Sequence, residues 1–324
     1  FLLSISFFLI KKLLEMKDII SLNNFGIIMF SIMFFFGFGE EISWGQRIFN
    51  IETPPFFSEN NLLQVPWQDY KLDILIDSSG IIENLNKYKD LRKSVKNVII
   101  TNSPDSKLVD NEIIYGVNHE SYDSKKDFII SSSICDATAI SPVIKCILEK
   151  FTIENGFLTT LHPWLGYQNL LDGPSKSYAV QGEIYDNYAL GRSSPMTLIP
   201  KNTSAIKATY KVIPEIEDNF IANSYRVPTN IVSSADLTIK VKEKINKSLI
   251  SELFLDFSKD YPNILDNNFD GLVSTDFIRS EFAVTIDHRF LNVTDNYVKL
   301  ICWYDNEWGY SSKVVDLISH IANG

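Results

Sequence analysis

Cysteine is scarce in this chain. Three of 324 residues, Cys135, Cys146 and Cys302, carry a thiol, and no two stand in a C-x-x-C pair. An odd, sparse set excludes a disulfide framework and fits a reducing cytoplasm for the main domain. Without paired thiols at ligand spacing, no structural zinc site is expected. Basic charge is also in deficit: 30 Lys and Arg stand against 40 Asp and Glu, a formal net charge of −10. That balance argues against a nucleic-acid partner, because phosphate backbones recruit Lys/Arg surfaces. No internal repeat or low-complexity tract is visible, so a solenoid or a disordered tail is not indicated.

Apolar residues are plentiful, 45% of the chain, but unevenly spread. Phe25–Gly39 is apolar throughout, and extended back to Ile19 it approaches the ~20 residues that a bilayer core requires. Phe1–Ile10 reads as the tail of an earlier apolar segment, followed by Lys11 and Lys12. Lysines beside a span mark a cytoplasmic flank. Membrane contact through residues 1–39 is therefore expected, with a buried core helix as the alternative. The start at Phe1, inside an apolar stretch, reads as that of a fragment. Pro54 and Pro55 break any regular element, and Ser58–Gln64 reads as a linker.

After Val65 the pattern becomes α/β. Lys71–Asp77, Asn97–Ile100 and Phe128–Ile134 read as strands, and Ile82–Ser94 alternates charge and apolar residues at helical spacing. Strands separated by helical stretches indicate a parallel sheet with crossovers. Beyond Cys135, Ile140, Ile144, Ile147, Leu148 and Phe151 share one helix face. Asp236–Val241, Phe282–Val293 and Tyr297–Trp303 read as a larger mixed or antiparallel sheet, and Ser311–Ala322 as an amphipathic helix.

Cys135 lies at a strand-to-helix junction, where the positive end of a helix dipole favours a thiolate, the nucleophilic form of cysteine. A lone cysteine is more often a small buried hydrophobe. His162 ends the strand Phe157–Leu161, and a Cys and a His distant in sequence can meet as nucleophile and base. His119, His288 and His320 are equal candidates on spacing alone.

Five segments occur in order: Tyr115–Asp123 (YGVNHESYD), Cys135, Thr159–His162 (TTLH), Tyr225–Thr229 (YRVPT) and Trp303–Ser311 (WYDNEWGYS). Together they resemble the glyceraldehyde-3-phosphate dehydrogenase family over about Val65–Gly324. The resemblance implies a partial Rossmann-type parallel sheet, residues 65–135, and a larger α+β catalytic domain, 136–302, with 303–324 returning to the cofactor domain. Residues 1–64 stand apart as a hydrophobic helical segment and linker. It implies oxidation of an aldehyde or sugar phosphate, through a thioester on Cys135, with His162 as base. NAD, or NADP, is the implied cofactor, and a homo-oligomer the implied state. Ser79, Gly80 and Thr101, with Ser78, match the remaining half of the cofactor cleft. Asn306 matches the residue that orients the nicotinamide amide, and Tyr310 the aromatic residue beside that ring. Arg226, Thr203 and Ser204 match the phosphate site. Arg192 matches an arginine in the loop that reaches a neighbouring subunit's cofactor pocket.

Three departures accompany the resemblance. The family opens with a G-x-G-x-x-G turn that binds the pyrophosphate, and residues 1–64 contain none. The loop Gly166–Arg192 is longer than the family's. Beside the nucleophile, Ile134 and Asp136 replace a Ser and a Thr, and Leu165 replaces a Thr after the histidine. A carboxylate next to the thiol opposes both a thiolate and an incoming phosphate, so water becomes a candidate acyl acceptor. The missing turn also admits a reading from another class: an inactive or truncated relative fused to a membrane-protein fragment.

Overall fold

The computed structural model describes residues 63, 65, 67–70, 72–166, 168–176, 184–185 and 188–323. The expected apolar segment 1–39, the absent glycine-rich turn and nearly all of the linker to residue 64 lie outside the described residues. Among the described residues no helix is long and apolar enough to cross a membrane. The chain divides into two compact units, the first with its described part in 63–134 and 311–323, the second covering Cys135–Tyr310.

The first unit is built on four short parallel strands: β1 (Ile74–Asp77), β2 (Asn97–Ile100), β3 (Asn111–Glu112) and β4 (Ile129–Ser131), in the order β1-β2-β4-β3. Val98, Ile99, Ile100 and Ile130 are buried, the continuous apolar pattern of strands covered on both faces. Trp67, Leu85, Tyr88, Leu91, Val95 and Phe128 close one side of that core. Helical spacing over 82–94 resolves into two 3-10 turns, Ile82–Asn86 and Tyr88–Lys93, rather than an α-helix. The first is drawn in by its own side chain: Asn84 Nδ2 donates to Asp77 Oδ2 at 3.1 Å, and the Tyr88 hydroxyl donates to the same carboxylate. Anchoring both turns to a strand end favours short 3-10 pieces over a continuous helix.

The second unit contains a seven-stranded mixed sheet. Its strands are β5 (Ile153–Pro163), β8 (Ile199–Lys201), β9 (Phe220–Val227), β10 (Ser233–Val241), β11 (Leu265–Asn268), β12 (Val284–Thr294) and β13 (Tyr297–Tyr304), in the order β11-β12-β13-β10-β5-β9-β8. The hairpin β6 (Ser175–Lys176) and β7 (Ile184–Tyr185) stands apart in the long loop. β5 runs parallel to β9 and antiparallel to β10, and β10 antiparallel to β13. Alternate residues of β10 (Ala235, Leu237, Ile239, Val241) are buried, while Asp236, Thr238 and Lys240 face outward, the period-two signature of a sheet with one buried face.

Helix α1 (Cys135–Leu148) packs against α2 (Ala205–Val212) and α3 (Lys247–Asp260). Its residues Ile140, Ile144 and Ile147 are fully buried, each worth about 1.5–3 kcal/mol relative to exposure. The helix begins where Ser133 takes φ 61°, turning the chain sharply between β4 and Cys135. Helix α4 (Trp308–Asn323) closes the described chain and starts three residues before the sequence pattern indicates.

Candidate active site

Four neighbouring strands of the mixed sheet and the start of α1 deliver side chains to one place. His162 is the penultimate residue of β5, and its register partner on β9 is Arg226. Ser233 opens β10 and is paired with Tyr304 at the end of β13. Cys135 and Asp136 form the first turn of α1.

Asp136 is the centre of the cluster. The carboxylate is 4% exposed, and its Oδ1 and Oδ2 lie 2.8 and 3.0 Å from Nε2 of His162, itself 5% exposed. The Tyr304 hydroxyl donates to Oδ1 at 2.9 Å. The Cys135 thiol donates weakly to the same oxygen at 3.6 Å. On the far side of the imidazole, Nδ1 lies 3.0 Å from Ser233 Oγ. Sequence places Cys135 and His162 as a pair. The structure brings both to Asp136, and the hydrogen bonds of each run to that carboxylate or, for the imidazole, also to Ser233.

Electrostatics follow this wiring. Burial alone would push the Asp136 carboxyl up, but the adjacent imidazole, Lys201 and the Tyr304 hydroxyl outweigh it and hold the group below the usual range. The half-buried Cys135 thiol is pushed up by desolvation and then by the Asp136 carboxylate, against weaker pulls from the Asp136 backbone amide and from Arg226. The dipole of α1 favours a thiolate, but a carboxylate in contact with the sulfur is a nearer charge and prevails. Tyr304 is likewise raised by burial and by Asp136. Lys201, on β8, is lowered by desolvation and by Arg226, while Asp136 works the other way.

Sequence reasoning missed Ser233, Tyr304 and Lys201. Lys201 had a legible signal, since it stands two residues before Thr203 in the segment matched to the phosphate loop. Ser233 and Tyr304 lie far from Cys135 in sequence and join it only through sheet register.

Of the remaining expected residues, Arg226 borders this cluster and the others lie apart. Arg226 donates from Nη1 to the carbonyl of Pro163 at 3.0 Å, which fixes it along the end of β5. Thr203 and Ser204 lead into α2, with Thr203 Oγ1 accepting from the amide of Ala205 at 3.1 Å. Arg192 is paired through Nε with Asp172 at 3.0 Å on the exposed long loop, and no hydrogen bond or ion pair ties it to the cluster. In the first unit, Ser79 and Gly80 follow β1 and Thr101 follows β2, at the carboxyl ends of parallel strands, where open α/β sheets bind ligands. Gly80 has φ 72°, a left-handed turn that glycine adopts without strain.

In the second unit the Asn306 Oδ1 is buried and has no hydrogen-bond partner among the described residues. An orphan amide acceptor costs about 1–3 kcal/mol, so a donor from a bound group suits this atom. The neighbouring Tyr310 is 5% exposed. No cluster of three or more His, Cys, Asp or Glu able to hold a metal ion occurs among the described residues.

Comparison with known proteins relates this chain to one family. The model for the C-terminal domain of glyceraldehyde 3-phosphate dehydrogenase matches residues 134–306. The glyceraldehyde-3-phosphate dehydrogenase of Podospora anserina is 32% identical over 286 residues, 87% of this chain and 81% of that one. The cytosolic enzyme of Chlamydomonas reinhardtii is 34% identical over 270 residues, 82% and 75% of the two chains. That of Chlamydia pneumoniae is 32% identical over 269 residues, 82% and 77%.

Proposed function

This chain belongs to the glyceraldehyde-3-phosphate dehydrogenase family, and from that membership we propose how its residues divide the chemistry of an NAD-linked aldehyde oxidoreductase. Cys135 is the nucleophile, its sulfur bonding to the aldehyde carbon of glyceraldehyde 3-phosphate. His162 accepts the thiol proton, returns it to the carbonyl oxygen as the sulfur adds, and takes it back from the adduct hydroxyl as hydride leaves, giving a thioester on Cys135. Bound NAD supplies the hydride acceptor. Asn306 would offer its orphan Oδ1 to the carboxamide of that cofactor, with Tyr310 as the aromatic residue of the second unit, while Ser79, Gly80 and Thr101 are the first unit's candidate cofactor residues.

Arg226 binds phosphate, since guanidinium presents a planar fork of donors to an oxyanion. Thr203 and Ser204 contribute hydroxyls. Arg192 belongs to a subunit contact in a homo-oligomer.

What supports this reading most is the convergence of the Cys135 thiol and the His162 imidazole on the Asp136 carboxylate at one end of the sheet, with Arg226 the register partner of His162. The test is Cys135→Ser: turnover with glyceraldehyde 3-phosphate, NAD and phosphate is expected to fall by about 1,000-fold or more, while the thermal melt stays in place. A serine variant with full turnover would overturn the proposal. The similarity spans most of the chain and does not favour the alternative of an inactive fusion. Contact with a membrane likewise has no support from the described residues.

For the acyl acceptor, phosphate is the family's choice, and Asp136 favours water as a second reading. Its carboxylate touches the thiol and repels an incoming dianion, while Arg226 and Lys201 attract one. Turnover measured with and without phosphate separates the two.

A further inference from the structure

Thiol and imidazole each hydrogen-bond the carboxylate of Asp136. An ionised carboxylate accepts hydrogen bonds and cannot donate them. With both oxygens of Asp136 at 2.8 and 3.0 Å, Nε2 of His162 therefore carries a hydrogen and presents it to Asp136. In that state the same nitrogen has no lone pair for the proton of Cys135. The sulfur in turn faces Asp136 Oδ1 at 3.6 Å. That oxygen is a poor base for it, because the carboxyl is held low by His162 against its burial while the thiol is raised by burial and by the carboxylate itself.

We infer that Asp136 is a positioning residue that keeps Cys135 and His162 from pairing, so that the nucleophile forms only when the Asp136–His162 hydrogen bond is given up. A released imidazole can place its hydrogen on Nδ1, toward Ser233 Oγ, 3.0 Å away. The lone pair of Nε2 is then available to the sulfur. The S–H proton moves to Nε2, leaving a thiolate and an imidazolium, with no other bond changed. Tyr304, donating to Asp136 at 2.9 Å, holds the carboxylate when the imidazole leaves it. The groups facing this step are Asp136 from α1, His162 from β5, Lys201 from β8, Arg226 from β9, Ser233 from β10 and Tyr304 from β13. The restraint matters to turnover only if Cys135 is the nucleophile, and so it rests on the function proposed above.

The test reads the thiol directly and needs no turnover. Iodoacetamide modification of the full chain is followed across about pH 6 to 10, with peptide mass spectrometry assigning the adduct to Cys135. Cys146 and Cys302 are fully buried and report separately. Asp136→Thr is expected to raise the rate at neutral pH by about tenfold or more and to move the inflection to lower pH. The isosteric Asp136→Asn, which preserves packing, shifts both in the same direction. Adding His162→Asn to Asp136→Thr is expected to abolish the gain. Rates unchanged or slowed in both Asp136 variants would overturn the inference, as would a gain that survives loss of His162. If Cys135→Ser kept its turnover while the alkylation results held, the proposed function would fail and the restraint would stand.

Discussion

Asp287 on β12 and Asp136 at the head of α1 are 0% and 4% exposed in the same unit, and both carboxyls sit below their usual range. Burial works against the charge of each, so partners must hold it. At Asp287 they are Arg289, whose Nε and Nη2 reach the two oxygens at 2.8 and 2.5 Å, and the indole of Trp303 at 3.0 Å. A guanidinium never gives up its proton and an indole only donates, so nothing in that cluster can move a proton. At Asp136 the partners are an imidazole, a phenol and a thiol, each able to exchange a proton. The same residue type under the same burial makes a clamp in one place and a proton-handling site in the other. The partners decide which.

That contrast can be broken from either side. The largest effect is expected at the clamp. Asp287→Ala leaves the Trp303 indole without its acceptor and Arg289 with only the Leu272 carbonyl, and should cost about 2–3 kcal/mol in urea unfolding. Asp136→Asn should cost only about 1–2 kcal/mol by the same measurement, because the isosteric amide keeps the packing and still accepts from Tyr304. Equal losses would erase the distinction.

Acid sharpens it next. A carboxyl depressed in the folded state contributes stability that is complete above its unfolded value, about 3.9, and is lost as pH falls through the folded value. The native chain should therefore lose stability below about pH 4. Asp287→Asn, less stable at neutral pH, should show a shallower fall across that window, since one proton fewer is taken up on unfolding. A slope as steep as the native one would contradict this account of Asp287.

The smallest effect belongs to the exposed pair between Lys299 and Asp236 on the open sheet face. Lys299→Ala should change stability by less than about 1 kcal/mol, because solvent screens both charges.

Much of the fold is legible in the sequence. The apolar runs at Asn97–Ile100 and Tyr297–Trp303 fall on observed strands, and the spacing of Ile140, Ile144 and Ile147 falls on the buried face of α1. Such patterns are local and depend only on each element having one side to bury. The 3-10 turns after β1 are not legible, because Asn84 and Tyr88 are drawn in by a carboxylate on a different element. The site divides in the same way. Asp136 beside Cys135 is plain from adjacency, and so is its repulsion of a thiolate. Its capture of His162, 26 residues away, is set by where α1 begins relative to the end of β5. Ser233 and Tyr304 enter through the register of β10 with β13, which no spacing in the chain encodes.

The most direct measurement is acid-quenched mass spectrometry of the full chain after brief exposure to glyceraldehyde 3-phosphate and NAD, with phosphate withheld. An acyl adduct is expected on the peptide bearing Cys135, at near-stoichiometric yield if water is a slow acceptor and at a lower steady-state level if it is a fast one. An adduct confined to another residue, or none on Cys135 while NADH accumulates, would contradict the assignment of Cys135 as the nucleophile.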